Sequence, residues 1–221
     1  MTKIFCIIPA YNEEKNIYQT VKKAQKYLEN IVVVNDGSKD QTAIKAKEAG
    51  AKVLTHPINR GQGAALQTGN DYALKRQADI VVHFDGDGQF LGSEIFDLIN
   101  PIQEEGYEAV FGSRFLEKKS AIPKFKTYII YPLARTINRI FLNVKTTDPQ
   151  NGFRALSKTA LQKIRIDNDG MAHCSEILYK TKKAGLKFKE VPVTVIYNHF
   201  GQKLSSGIKI LKDLFVNKLN Q

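Results

Sequence analysis

Residues 79–90 read DIVVHFDGDGQF. The first half, Asp79 to Phe84, is a β-branched and apolar run that predicts a strand, and its near-continuous hydrophobicity predicts burial on both faces of a sheet. The second half turns polar at once, with Asp85 and Asp87 one residue apart in a glycine-spaced loop. Working outward, similar strand runs occur at Lys3–Ile8, Ile31–Asn35, Ala51–Thr55 and Ala109–Gly112. Helical stretches lie between them at Glu13–Glu29, Gln41–Ala49, Gly63–Lys75 and Glu94–Glu104, with Asn12 and Asp40 as predicted N-caps of the first two. Strand and helix therefore alternate, which implies right-handed crossovers and an α/β fold with a mostly parallel sheet flanked by helices.

The rhythm changes after Arg114. Residues 117–126 read as a basic loop, 128–144 as an amphipathic helix, and DPQNGF at 148–153 as an irregular turn. Helices near 158–164 and 175–184, a strand at 188–196 and a final helix over about 206–219 complete the reading. With no internal repeat and no linker, residues 1–221 are expected to form a single domain.

Composition narrows the class. The 221 residues are 43% hydrophobic and 25% charged, with 15 Gly and 7 Pro, as in ordinary globular chains and unlike disordered or collagen-like ones. Two cysteines, Cys6 and Cys174, lack C-x-x-C spacing, which argues against a zinc finger or a disulfide framework and favours a reducing compartment. The start MTKIFCIIPAYNEE has no signal-peptide pattern, and no run of about 18 apolar residues occurs, so a cytoplasmic location is expected. Charge is divided unevenly: residues 1–110 carry 12 Lys+Arg against 15 Asp+Glu, and residues 111–221 carry 21 against 7. The basic half is either a solvated lysine-rich face or a surface for an anionic partner.

Ligands in open parallel sheets bind beyond the carboxyl ends of the strands. The unusual loops all fall there: Pro9-Ala10-Tyr11-Asn12-Glu13, Asp36-Gly37-Ser38, Asn59-Arg60-Gly61 and Asp85-Gly86-Asp87-Gly88-Gln89. Asp85 and Asp87 form either a plain Asp-Gly turn or the hard oxygen ligands of Mg²⁺ or Mn²⁺, with Gln89 as a neutral donor. An EF-hand is excluded because Leu91 and Phe96 stand in parts of that register. Asp36 either accepts hydrogen bonds from a ribose or base, or closes an Asx turn. Arg60-Gly61-Gln62-Gly63 has Leu66 where a dinucleotide fingerprint needs its third glycine, and no G-K-[ST] follows a glycine run, so dehydrogenase and P-loop readings fail. His56, His83, His173 and His199 lack metal-ligand spacing, and His83 reads as a core residue.

Taken together, IIPAYNEE, VVNDGSKDQT, NRGQGAALQTG, DGDGQF, GSRF, DPQNGFRALS and EVPV, in this order, resemble family 2 of the glycosyltransferases. The likeness covers nearly the whole chain and is strongest to the branch of dolichyl-phosphate mannosyltransferase and bacterial polyprenyl-phosphate glycosyltransferases. It implies the GT-A fold, a Rossmann-like α/β architecture, with a nucleotide-sugar half over 1–114 and an acceptor half over 115–221. By the same resemblance, Pro9, Ala10, Tyr11, Glu13 and Asp36 line the base and ribose of a UDP- or GDP-sugar, with Arg60 and Gly61 nearby. Asp85, Asp87 and Gln89 match the metal motif, so that Mg²⁺ or Mn²⁺ bridges the donor diphosphate, with Asp87 counted among the catalytic residues.

The family's inverting chemistry makes the acceptor decisive. A hydroxyl acceptor on a glycan needs a general base, for which Asp148 and Glu176 are the candidates; a polyprenyl phosphate is already anionic and needs only positioning. Arg114, Arg154 and Lys203 match basic positions of the branch, either as phosphate-holding groups or as ion pairs. Glu176 matches an acidic position of the acceptor-side helix, although MAHC precedes it where an aromatic-acid pattern is usual. Ile208, Leu211, Leu214, Phe215 and Leu219 with Lys209, Lys212 and Lys218 give the last helix a face suited either to an anionic membrane or to the core. The expectation is peripheral association with the cytoplasmic membrane face. Nucleic acid is not an expected partner, because no aromatic-rich basic recognition motif is present.

Overall fold

The computed structural model describes residues 2–116 and 146–196. Their elements run β1 (Ile4–Ala10), α1 (Ile17–Gln25), β2 (Asn30–Asn35), α2 (Thr42–Glu48), β3 (Lys52–Thr55), α3 (Gln62–Lys75), β4 (Ile80–His83), α4 (Ile95–Glu105), β5 (Ala109–Ser113), β6 (Arg154–Ser157), α5 (Lys158–Lys163), α6 (His173–Lys183) and β7 (Phe188–Pro192). The expected helices at 128–144 and 206–219, the basic loop at 117–126 and Lys203 lie outside the described residues.

The strands form one seven-stranded sheet in the order β3-β2-β1-β4-β6-β5-β7. All pairings are parallel except those of β6, which runs antiparallel to both β4 and β5. The mostly parallel α/β architecture expected from the sequence is thus present, and its sheet draws strands from both halves of the chain. The reversal of β6 has a functional consequence. Its entry, rather than its exit, lies at the rim where β1 to β4 end, so residues 146–153 are delivered beside the loop after β4.

Strand alternation sorts the core into two layers. Cys6, Ile8, Val82, Phe84 and Ala155 share one cluster with Val21, Leu98 and Ile99 of α1 and α4. Ile7, Val81, Phe111 and Leu156 share the other with Leu66, Leu161, Ile177 and Leu178 of α3, α5 and α6. Each fully buried side chain of this size contributes about 1.5–3 kcal/mol. At Gly69 the fit between the layers is tight: a Cβ there would stand 2.2 Å from Ile7 Cγ2, so α3 rests on β1 through a bare backbone.

Three local expectations are corrected. Asn12 does not cap α1, which begins at Ile17 after Asn16. Asn12 takes a left-handed φ of 56° and its Oδ1 accepts the Lys39 N–H at 3.0 Å, joining the first two rim loops instead. The region after DPQNGF contains β6, which four residues headed by an arginine signal too weakly to predict. The last strand ends at Pro192, and among the described residues beyond it Val195 makes only an isolated bridge to Phe90.

Candidate active site

The rim is assembled by the chain's own polar groups. Asp36, only 3% exposed after β2, accepts the Arg60 N–H on Oδ1 at 3.0 Å and the Gly61 N–H on Oδ2 at 2.6 Å; its Oδ1 also lies 2.7 Å from His56 Nδ1. His56 Nε2 in turn pairs with Thr68 Oγ1 at 2.9 Å, so the imidazole is braced from α3. Gly61 adopts φ 110°, and a Cβ there would meet the Asp169 carbonyl at 2.2 Å, which only glycine permits. The Arg60 side chain remains half exposed, with a loose 3.7 Å contact to Asp169.

Pro9 and Ala10 are the buried last residues of β1, while Tyr11 stands 44% exposed at the rim. Glu13 accepts from Asn16 Nδ2 at 2.9 Å. Burial pushes its carboxyl above the usual range, the Asn16 bond opposes this, and the charge of Asp87 reinforces it. Glu13 and Asp87 therefore share one acidic corner.

Asp85 receives Gln62 Nε2 on Oδ1 at 2.8 Å and lies against Gly152, where a Cβ would stand 2.5 Å from Oδ2. Burial pushes the Asp85 carboxyl up to about 7; Asp87 and Cys174 push the same way, and Arg154 and His173 offset part of the effect. Asp87 is also raised by burial, against the lowering effect of the Gln89 N–H on its Oδ1 at 3.1 Å and of Lys23. Beneath this loop Phe84, Phe90 and Phe153 form an aromatic cluster, Phe90 and Phe153 stacked with centroids 4.8 Å apart, which fixes the loop after β4 and the entry to β6 together.

These residues fit a divalent cation. The donors are hard carboxylate oxygens, and Asp87 lies close enough to Asp85 for its charge to raise the Asp85 carboxyl, a strain that a shared cation would relieve. No group of three or more His, Cys, Asp or Glu side chains suited to a metal occurs among the described residues. Two carboxylates with an amide are few for a self-contained cage but suffice for an ion completed by phosphate oxygens.

The acceptor-side candidates are placed differently from one another. Arg114 is locked on Asp148 by Nε to Oδ2 and Nη2 to Oδ1, both at 2.6 Å, while its N–H also reaches Oδ2 at 3.0 Å. Glu190 fixes the neighbouring segment by accepting the Thr147 and Asp148 N–H groups at 2.9 and 3.2 Å. Glu176 accepts the Asp167 and Asn168 N–H groups, both at 2.9 Å, and pairs with Lys180 at 2.7 Å. Arg154 is 1% exposed, under the rim rather than on it. Its Nη2 donates to the Asn151 carbonyl at 2.9 Å and to Cys174 Sγ at 3.1 Å, and its Nε donates to the Gly152 carbonyl at 3.2 Å.

Sequence reasoning missed most of this lower layer. His173 Nδ1 lies 2.9 Å from the Gly170 carbonyl and Nε2 lies 3.4 Å from Cys174 Sγ. The carbonyl can only accept, so Nδ1 carries a proton and Nε2 faces the sulfur. Burial alone would raise the Cys174 thiol, but His173 and Arg154 outweigh it and bring it down to about 6. His83 is in the core, with Nε2 2.8 Å from Asn70 Oδ1, while its Nδ1 and Asn70 Nδ2 have no partner among the described residues. The departure MAHC was the available signal for His173 and Cys174; the other partners carry none, because their approach depends on the reversed β6 and on α6.

Comparison with known proteins agrees with this architecture. The profile described as Glycosyl transferase family 2 matches residues 5–165. The chain is 39% identical to an uncharacterised protein of Methanocaldococcus jannaschii, over 98% of this chain and 93% of that one. It is 35% identical to a UDP-N-acetylglucosamine–dolichyl-phosphate N-acetylglucosaminyltransferase of Methanococcus voltae, over 99% and 97% of the two chains. A polyprenol monophosphomannose synthase of Mycolicibacterium smegmatis is 28% identical, over 95% and 83%. Among solved structures, glucosyl-3-phosphoglycerate synthase of Mycobacterium tuberculosis in complex with Mn²⁺, UDP and glucosyl-3-phosphoglycerate superposes with a TM-score of 0.76 at 21% identity, covering 99% of this chain and 79% of that one.

Proposed function

Since the chain belongs to glycosyltransferase family 2 and has the GT-A fold, we propose that it moves a sugar from a UDP- or GDP-sugar to polyprenyl phosphate, with inversion, at the cytoplasmic face of the membrane. The names of the Methanococcus voltae and Mycolicibacterium smegmatis relatives support a lipid-phosphate acceptor.

The observation that carries this reading is the state of the two candidate bases. Asp148 is held by the Arg114 guanidinium through both oxygens, and Glu176 by two loop N–H groups and Lys180. Both carboxylates are already committed to structural contacts, which favours an acceptor that needs no base, as a phosphate monoester does. The acceptor has only to be oriented behind the anomeric carbon.

In this mechanism the rim from Tyr11 to Glu13 and the Asp36-held loop at Arg60 and Gly61 receive the nucleoside. Asp85 and Asp87, with Gln89, would hold Mg²⁺ or Mn²⁺. When bound, the cation supplies Lewis-acid stabilisation of the charge that develops on the departing nucleoside diphosphate. Arg114, fixed by Asp148, places a cationic group on the acceptor side of the same rim, and Lys203 is assigned to that side by resemblance. Among the described residues no helix is long and apolar enough to cross a membrane, so access to the lipid is assigned to the basic segments of the second half.

The test is transfer of labelled sugar from a panel of UDP- and GDP-sugars into organic-extractable polyprenyl-phosphate product with Mg²⁺ or Mn²⁺, using Asp87→Ala as control. Metal-dependent label in the lipid, lost in the control, is expected. Donor hydrolysis with no lipid product would move the acceptor to a glycan hydroxyl.

A further inference from the structure

Residues 60–62 connect the two ends of the site. Asp36 holds the backbone N–H groups of Arg60 and Gly61, and the next residue, Gln62, opens α3 and reaches Asp85 Oδ1 at 2.8 Å. The strap is clamped from outside, since the Asp169 carbonyl closes over Gly61 and accepts the Gly63 N–H at 2.9 Å. Against the other oxygen of Asp85 lies Gly152, whose missing side chain leaves room for the carboxylate: a Cβ there would stand 2.5 Å from Oδ2. The Gln62 bond is the one hydrogen bond that the Asp85 side chain receives among the described residues.

A neutral amide has a particular value here. A lysine or arginine donor would also orient the carboxylate but would cancel the charge that attracts a divalent cation, whereas an amide fixes one oxygen and leaves the charge in place. We propose that Gln62 is a positioning residue that sets the orientation of Asp85 for the cation and ties that carboxylate to the loop anchored by Asp36. This inference rests on the metal-binding reading of Asp85 and Asp87 given above. It assigns Gln62 no contact with substrate.

The experiment compares wild-type full-length chain, Gln62→Met and Gln62→Asn. Methionine keeps the length and volume without a donor; asparagine keeps the amide but is one methylene too short. Free Mn²⁺ is measured by electron paramagnetic resonance in the presence of UDP, with thermal unfolding as a control for folding. Loss of an outer-shell partner is expected to weaken Mn²⁺ binding about 10- to 100-fold in both variants, with unfolding temperatures close to wild type and UDP binding in chelator unchanged. Wild-type affinity in Gln62→Met, or in Gln62→Asn should the first fail to fold, overturns the inference alone. A wild-type chain that binds no Mn²⁺ with UDP overturns the metal reading along with it.

Discussion

The sulfur of Cys174 lies 3.1 Å from Nη2 of Arg154, with both residues buried below the carboxylate loop. A buried guanidinium is costly without an anion, and the carbonyls of Asn151 and Gly152 supply hydrogen bonds but no charge. His173 Nε2, in the first turn of α6, and Arg154 both act to lower the Cys174 thiol, so that its ionised form would supply such a charge. Arg154 thus faces both the Cys174 sulfur and, through its charge, the Asp85 carboxyl above it.

Cys174 should titrate near 6, far below Cys6, whose thiol burial pushes well above the usual range. A folded value below the ordinary 9.0 means that its stabilising contribution is present above pH 9 and is lost as pH falls through 6. Thiolate absorbance against pH, with Cys174→Ala as blank, measures the value directly. That variant should lose about 3 kcal/mol at pH 8, because Arg154 keeps its charge and loses its partner.

Asp85 carries the opposite sign. Its folded value near 7 lies above the ordinary 3.8, so its favourable contribution is complete below pH 3.8 and lost as pH rises through 7. Asp85→Asn should therefore stabilise the protein at pH 8, on the order of 2 kcal/mol, while abolishing Mn²⁺ binding. In the wild type, Mn²⁺ affinity should fall about tenfold per pH unit below 7, where a proton competes for the carboxylate. Denaturant titration and Mn²⁺ binding at pH 6 and pH 8 check both outcomes.

Replacing the two engaged carboxylates should reveal structural and not proton-transfer roles. Glu176→Gln should cost about 1–2 kcal/mol through the 167–168 N–H groups and Lys180, yet leave the pH profile of transfer unchanged. Asp148→Asn should cost more, because the Arg114 charge loses its fork partner. Loss of an ionisation from the rate profile in either variant would contradict these roles.

Gly69→Ala tests the seat of α3 on β1. With Ile7 Cγ2 at 2.2 Å from the new methyl, overpacking should cost about 1–3 kcal/mol, or roughly 2–4 °C in melting temperature per kcal/mol for a chain of this size. The double variant with Ile7→Val should recover part of that loss, measured by thermal unfolding.

The repeating β-α pattern and the carboxylate loop were legible because they are local. The runs around Ile31–Val34 and Ile80–His83 advertise buried strands through their own composition, and Asp85-Gly86-Asp87 follows one of them without interruption. From these alone the parallel architecture and the rim of polar loops could be drawn. Element ends were less legible; the residues that close them, such as Asn12 joined to Lys39, find partners in other loops.

Tertiary structure alone decided what each polar residue faces. In sequence Arg154 reads as an acceptor-side basic position and Asp148 and Glu176 as candidate bases, yet the first is buried against Cys174, the second is forked by Arg114 and the third closes a loop. The reversal of β6 causes much of this difference, because it brings residues 146–154 to the exits of β1 and β4 and places Gly152 on Asp85. Periodicity reports which residues are apolar enough to leave water. The partner of a charge is fixed by distances between elements far apart in the chain, and no local pattern contains those distances.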